Sequence, residues 1–179
     1  MQEHDRDFDD LLETARTLLG GNEDRDEIWE ADRIVTRALR MRPHDPEAWL
    51  LKCQVLSAQD DDFSALAAAE MALGKSPKSP EVHYWRGAVL ADLGRFPEAL
   101  RSIETSFRCL AGGFDWLLED LYFEKAMILD SIGRKEDAME TLNAGLARCP
   151  ESPVLRAGLA PLERERLRSS LRIIKGGAA

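Results

Sequence analysis

Three histidines, three cysteines and a few adjacent acids are the residues of this chain whose types suit metal binding, nucleophilic attack or acid–base chemistry. Their spacing argues against all three. His4 lies in an acidic stretch, His44 sits between Pro43 and Pro46, and His83 falls within a run of apolar residues, so no two are spaced as metal ligands. Cys53, Cys109 and Cys149 are far apart and odd in number, which fits neither a disulfide framework nor a zinc site. Free thiols suit a reducing cytoplasm. No G-x-S-x-G, no phosphate-cradling G-x-x-x-x-G-K-[S/T] and no H-E-x-x-H occurs. Gly20-Gly21 and Gly112-Gly113 read as helix ends, and Asp60-Asp61 reads as a helix cap rather than a general acid and base. The expectation is a protein with no catalytic residue, no metal and no cofactor.

Composition narrows the partners. The 179 residues carry a net charge of -9, and 32% of them are charged, above the usual quarter. Phosphate binding needs clustered Lys and Arg, so an acidic chain argues against nucleic acid and against anionic membrane surfaces. The start, MQEHDRDFDD, has no apolar core and does not read as a signal peptide, and no apolar run approaches a membrane span. These features point to a cytoplasmic setting.

The elements that would carry a binding surface emerge from internal repetition. Ala31, Ala65, Ala99 and Ala138 each precede a small residue seven positions on (Ala38, Ala72, Ser106, Gly145), and the starts differ by 34, 34 and 39. Prolines recur in register at Pro43, Pro77 and Pro150. In the preceding half of each repeat Trp49, His83 and Tyr122 align. Small Cys53, Gly87 and Ala126 follow four residues later, then Leu56, Leu90 and Leu129. Turn residues Asp60-Asp61-Asp62, Gly94-Arg95 and Gly133-Arg134 separate the halves.

This order of marks resembles the tetratricopeptide repeat, whose pattern is W-x2-L-G-x2-Y, then A-x3-F, then P. One departure is consistent: Lys52, Arg86 and Lys125 stand where the pattern has Leu. A long basic side chain can bury its stem and keep its head in water, so the departure is compatible with packing. The resemblance implies an all-α fold, a right-handed superhelix of helix-turn-helix repeats. Residues 1–11 form an acidic leading segment, and 12–152 hold four repeats (12–45, 46–79, 80–113 and 119–152), the first degenerate in its opening helix. Residues 153–179 supply a capping helix and a short tail. A cap is needed because each repeat cannot bury its own apolar face.

Helix starts are marked by Asp45-Pro46, Ser79-Pro80 and Ser152-Pro153, each a capping side chain before a proline at the first helical position. The pattern predicts helices near 7–19, 25–41, 46–58, 62–74, 80–93, 96–109, 115–132, 135–148 and 153–174. The longer third interval falls at Ala111-Gly112-Gly113-Phe114-Asp115, read as a lengthened turn with Asp115 available as a cap.

The resemblance also implies that the first helix of each repeat lines a groove for a partner peptide or helix. Position by position this gives Glu47, Leu50 and Gln54, then Glu81, Tyr84 and Ala88, then Asp120, Phe123 and Met127 as partner-binding residues. Lys and Asn, which grip a C-terminal carboxylate in some members, are missing from these positions, so that specialisation is not expected. An apolar middle with acidic borders suits an amphipathic helix with basic flanks. Residues 1–32 hold twelve acids against three arginines, and residues 153–179 hold six bases against two acids. Association between acidic and basic ends into a homo-oligomer is therefore a second possibility. The expected function is protein binding, as an adaptor or assembly scaffold, with a secretion-type chaperone or a self-associating structural protein as alternatives.

Overall fold

The structure, a computed structural model, describes residues 2–21, 24–110 and 115–176. Among them are nine α-helices and no strand: α1 (Gln2–Leu19), α2 (Arg25–Met41), α3 (Pro46–Ala58), α4 (Asp62–Lys75), α5 (Pro80–Asp92), α6 (Phe96–Cys109), α7 (Leu118–Ser131), α8 (Lys135–Arg148) and α9 (Pro153–Gly176). The all-α architecture of paired helices is the one expected. Consecutive helices pack as hairpins, α1 on α2, α3 on α4, α5 on α6 and α7 on α8. The chain forms two compact units, Met1–Cys109 with α1 to α6 and Leu110–Ala179 with α7 to α9.

Capping side chains set the helix starts. Asp45 Oδ1 accepts from the backbone N–H of Glu47 and of Ala48, both at 3.0 Å. Ser79 Oγ accepts from Val82 N at 3.3 Å and Ser152 Oγ from Leu155 N at 3.0 Å. Each satisfies a donor that the first helical turn leaves open, worth about 1 kcal/mol. The turns inside the repeats share one backbone device, a left-handed residue at Asp60 (φ 60), Gly94 (φ 70) and Gly133 (φ 78).

Two expected helix starts change. α1 begins at Gln2 rather than near residue 7, so most of the acidic leading segment is helical. Phe8, Leu12 and Ala15, at i, i+4 and i+7, are buried against Ala31, Val35 and Ala38 of α2. The Arg42 guanidinium stands 4.1 Å over the Phe8 ring. The seventh helix was expected from 115, but a short 3-10 turn, Asp115–Leu117, precedes α7, and Leu117 at its N-cap makes no side-chain cap bond. The suggested cap from the Asp115 side chain and the lengthened turn at 111–114 lie outside the described residues, as does the tail beyond Gly176.

Close helix approach rests on the small residues. Ala31, Ala65, Ala99 and Ala138 are fully buried. A Cβ built on Gly87 would stand 2.6 Å from Ile103 Cδ1, so Ile103 packs directly onto the glycine and would have to shift for any larger residue. Cys53, buried between α3 and α4, has its thiol pushed up to about 12 by that burial and stays a neutral core residue.

One contact recurs at the start of three helices, a side-chain nitrogen to the carbonyl of the proline six residues before it. Trp49 Nε1 donates to the Pro43 carbonyl at 2.8 Å. His83 Nε2 lies 3.0 Å from the Pro77 carbonyl, and since a carbonyl only accepts, Nε2 carries the proton. Arg156 Nη2 donates to the Pro150 carbonyl. All three span six residues, so α9 opens as the first helix of a further repeat would. α9 then packs on α7 and α8 through buried Leu155, Leu159 and Leu162.

Candidate functional site

In the N-terminal unit the first helices of successive repeats, α1, α3 and α5, adjoin one another. Between them opens a concavity of about 340 Å3 lined by Arg16, Leu19, Gly20, Gln54, Ala58 and Trp85. Helix periodicity brings these together, since Gln54 and Ala58 are one turn apart on α3.

Charge marks both ends of this face. At one end Glu47, in the first turn of α3, pairs with Arg16 from the last turn of α1, and Arg16 stands 3.6 Å from Glu13. Glu81, on the next helix, has its carboxyl held above the ordinary range by partial burial, against the lowering pull of Arg16 and with a further push from Glu47. At the other end Asp92, in the last turn of α5, is also raised, by partial burial first and then by Asp62 and Asp60. Acids therefore stand at both ends, with Arg16 among them at the first, and Leu19, Gln54, Ala58 and Trp85 line the middle.

The expected lining residues fare differently. Glu47 is exposed, and Gln54, Glu81, Tyr84 and Ala88 are half-buried; of these Gln54 lines the concavity. Tyr84 meets Trp85 edge to face with ring centroids 5.6 Å apart. Leu50 does not line the face: at 7% exposure it packs with Ala72 and Val82 in the core between α3, α4 and α5. In the C-terminal unit Asp120 is exposed in the first turn of α7, its carboxyl raised by partial burial and by Glu119. Met127 is half-buried. Phe123 is packed under the capping helix, since a Cβ on Gly158 would come within 3.2 Å of its ring. Arg16, Leu19 and Trp85 are site residues that the sequence reading missed. Arg16 and Leu19 lie on the least regular repeat, and Trp85 sits one position outside the aligned groove register.

Among the described residues no group of three His, Cys, Asp or Glu stands close enough to hold a metal ion. None of the three cysteines is paired. No described helix is long and apolar enough to cross a membrane.

Residues 63–106, from the first turn of α4 into the last turns of α6, match the family model of the tetratricopeptide repeat. That segment carries a tetratricopeptide repeat. No curated protein matches it by sequence. Among solved structures, that from the functional characterization of Pseudomonas aeruginosa pilF aligns with TM-score 0.78 and 16% identity, over 99% of this chain and 79% of that one. PilW, a widely conserved type IV pilus biogenesis factor, aligns with TM-score 0.75 and 19% identity, over 92% and 70%. YrrB, described as a TPR protein with an unusual peptide-binding site, aligns with TM-score 0.64 and 19% identity, over 74% and 66%. At these identities the tetratricopeptide fold is shared and no more is carried across.

Proposed function

We propose that this tetratricopeptide protein is a non-catalytic interaction module, an adaptor or assembly scaffold, that binds a segment of another polypeptide on the joined faces of α1, α3 and α5. The observation that carries this is the concavity between Arg16, Leu19, Gln54, Ala58 and Trp85, open to solvent and bordered by acids at both ends. An apolar or aromatic anchor of the ligand fills the middle, and basic flanks meet Glu47 and Glu81 at one end and Asp92 at the other. Tyr84 and Trp85 give rigid contact area at low entropic cost. The ligand class agrees with the peptide-binding site ascribed to YrrB. Within the C-terminal unit, Asp120 and Met127 remain available for contact, while Phe123 serves the packing of α9. Free thiols suit a reducing compartment, which supports reading the setting as cytoplasmic.

A photo-crosslinking amino acid at Gln54 or Ala88, compared with one at Ala67 on the outer surface of α4, tests the reading in living cells. Adducts to a common partner from positions 54 and 88, lost on Ala58→Arg and absent from 67, are expected. Equal adducts from 67 and 54, or none from 54, would move binding off this face.

A further inference from the structure

The concavity between α1, α3 and α5 does not end at Ala58. That residue, exposed at the end of α3, also lines a smaller recess of about 40 Å3. The other walls of the recess are Arg25, Ile28, Trp29, Gln59 and Asp60, where the first turns of α2 meet the turn between α3 and α4. Two independent observations mark it as a place for a ligand. Among the described residues, Gln59 Nε2 is the only buried side-chain nitrogen or oxygen with no hydrogen-bond partner. A buried donor left unpaired costs free energy, and an acceptor that reaches it removes that cost. The second observation is aromatic. Trp29 is 58% exposed, although Ile28 beside it is buried. Phe63, at the same place in the next repeat, two residues before the buried alanine, is 80% exposed. Large rings held in solvent at the edge of a concave face suit contact with a partner.

The chemistry of the walls selects the ligand. An amide N–H donates, so Gln59 Nε2 needs an acceptor oxygen. The charged walls are Arg25 and Asp60, whose formal charges cancel. Asp92 and Asp62 lie near enough to Asp60 to interact, which weighs against a carboxylate, while Arg25 opposes a cation. A neutral carbonyl meets both demands, and the main chain of a polypeptide supplies one at every residue. We propose that this recess is a second subsite of the groove, in which Gln59 Nε2 donates to a main-chain carbonyl of the bound segment and the neighbouring apolar side chain lies on Trp29. The subsite rests on the groove reading given under Proposed function and extends it. A segment seated against Gln54 and Trp85 crosses Ala58 and reaches Trp29.

N-acetylphenylalanine amide carries the minimal chemistry, neutral carbonyls beside one apolar side chain. Phenylacetate and phenethylamine carry the same ring with a negative or a positive charge. Each is titrated into the isotope-labelled full chain while NMR follows the Gln59 side-chain amide and the indole N–H of Trp29 and Trp85. The neutral probe should shift the Gln59 and Trp29 signals together, with the millimolar affinity of so small a ligand, and should bind more tightly than either charged ring. Gln59→Met should weaken it about three- to tenfold, the loss of one hydrogen bond. The same variant should melt at or above the wild type, because its amide has no partner in the free chain to lose. Equal or tighter binding of a charged ring, or unchanged affinity in Gln59→Met, overturns the inference. A Gln59→Met chain that melts below the wild type also overturns it, since the amide would then be bonded within the fold. A probe that shifts Trp85 alone loses this subsite and keeps the groove reading. One that shifts neither indole loses the subsite, and the groove reading is then decided by the crosslinks from Gln54 and Ala88.

Discussion

Lys52 Nζ stands 2.6 Å from Asp32 Oδ1 and 3.1 Å from Thr36 Oγ1, linking the first helix of one repeat to the second helix of the repeat before it. Arg86 repeats the arrangement with Glu70 at 2.7 Å and adds a bond to Ser102. At Lys52 and Arg86 the departure from the tetratricopeptide pattern is therefore an inter-repeat ion pair. With side chains only 18% and 21% exposed, the Lys52–Asp32 pair should exceed an ordinary surface bridge. A double-mutant cycle of Lys52→Met and Asp32→Asn, followed by urea unfolding, is expected to give a coupling of about 1–2 kcal/mol. A coupling near zero would reduce the pair to surface decoration.

The turn inside each repeat needs a left-handed residue, supplied by glycine at Gly94 and Gly133 but by aspartate at Asp60. Asp60→Gly should stabilise the chain by roughly 0.5–1 kcal/mol, and Gly94→Ala should cost about 1 kcal/mol, though nothing lies within 4 Å of its new Cβ. Thermal unfolding of the two variants reads both signs. Stabilisation by Gly94→Ala would contradict the backbone argument.

Gly87→Ala places a methyl 2.6 Å from Ile103 Cδ1 and 2.8 Å from its Cγ1 in a fully buried contact. The expected cost is about 1–3 kcal/mol of overpacking. Ile103→Val removes Cδ1, so the double variant should be less destabilised than the sum of the two singles. Strict additivity in denaturant unfolding would show that α5 and α6 separate instead.

Asp92 is held above the ordinary carboxylate range by partial burial and by Asp62 and Asp60. A carboxyl that binds its proton more tightly when folded loses stability for the fold as pH rises through its folded value. Asp92→Asn should therefore melt above the wild type at pH 7, with the gap closing below about pH 4, where the wild-type carboxyl is protonated in both states. Added salt should shrink the neutral-pH gap, because part of it is repulsion. A lower melting temperature for Asp92→Asn at pH 7 would mean that this carboxylate is stabilising.

Local chemistry made the helices legible from the residues alone. Asp45-Pro46, Ser79-Pro80 and Ser152-Pro153 fix helix starts through bonds spanning two or three residues, and the repeated small residues fix which faces pair. α2, α3, α6 and α8 span the residues their sequence predicts. The residues that lengthen α1, Gln2 to Arg6, are all polar or charged, so no apolar period marked that extension in the sequence. What the tertiary structure alone decided is which groove positions meet water. Leu50 sinks between Ala72 and Val82, Phe123 lies under Gly158, and Arg16, Leu19 and Trp85 join the surface instead. Caps and periodicity act over one helical turn, whereas exposure on the inner face depends on how closely neighbouring helices approach. That distance is set by side chains more than a repeat apart.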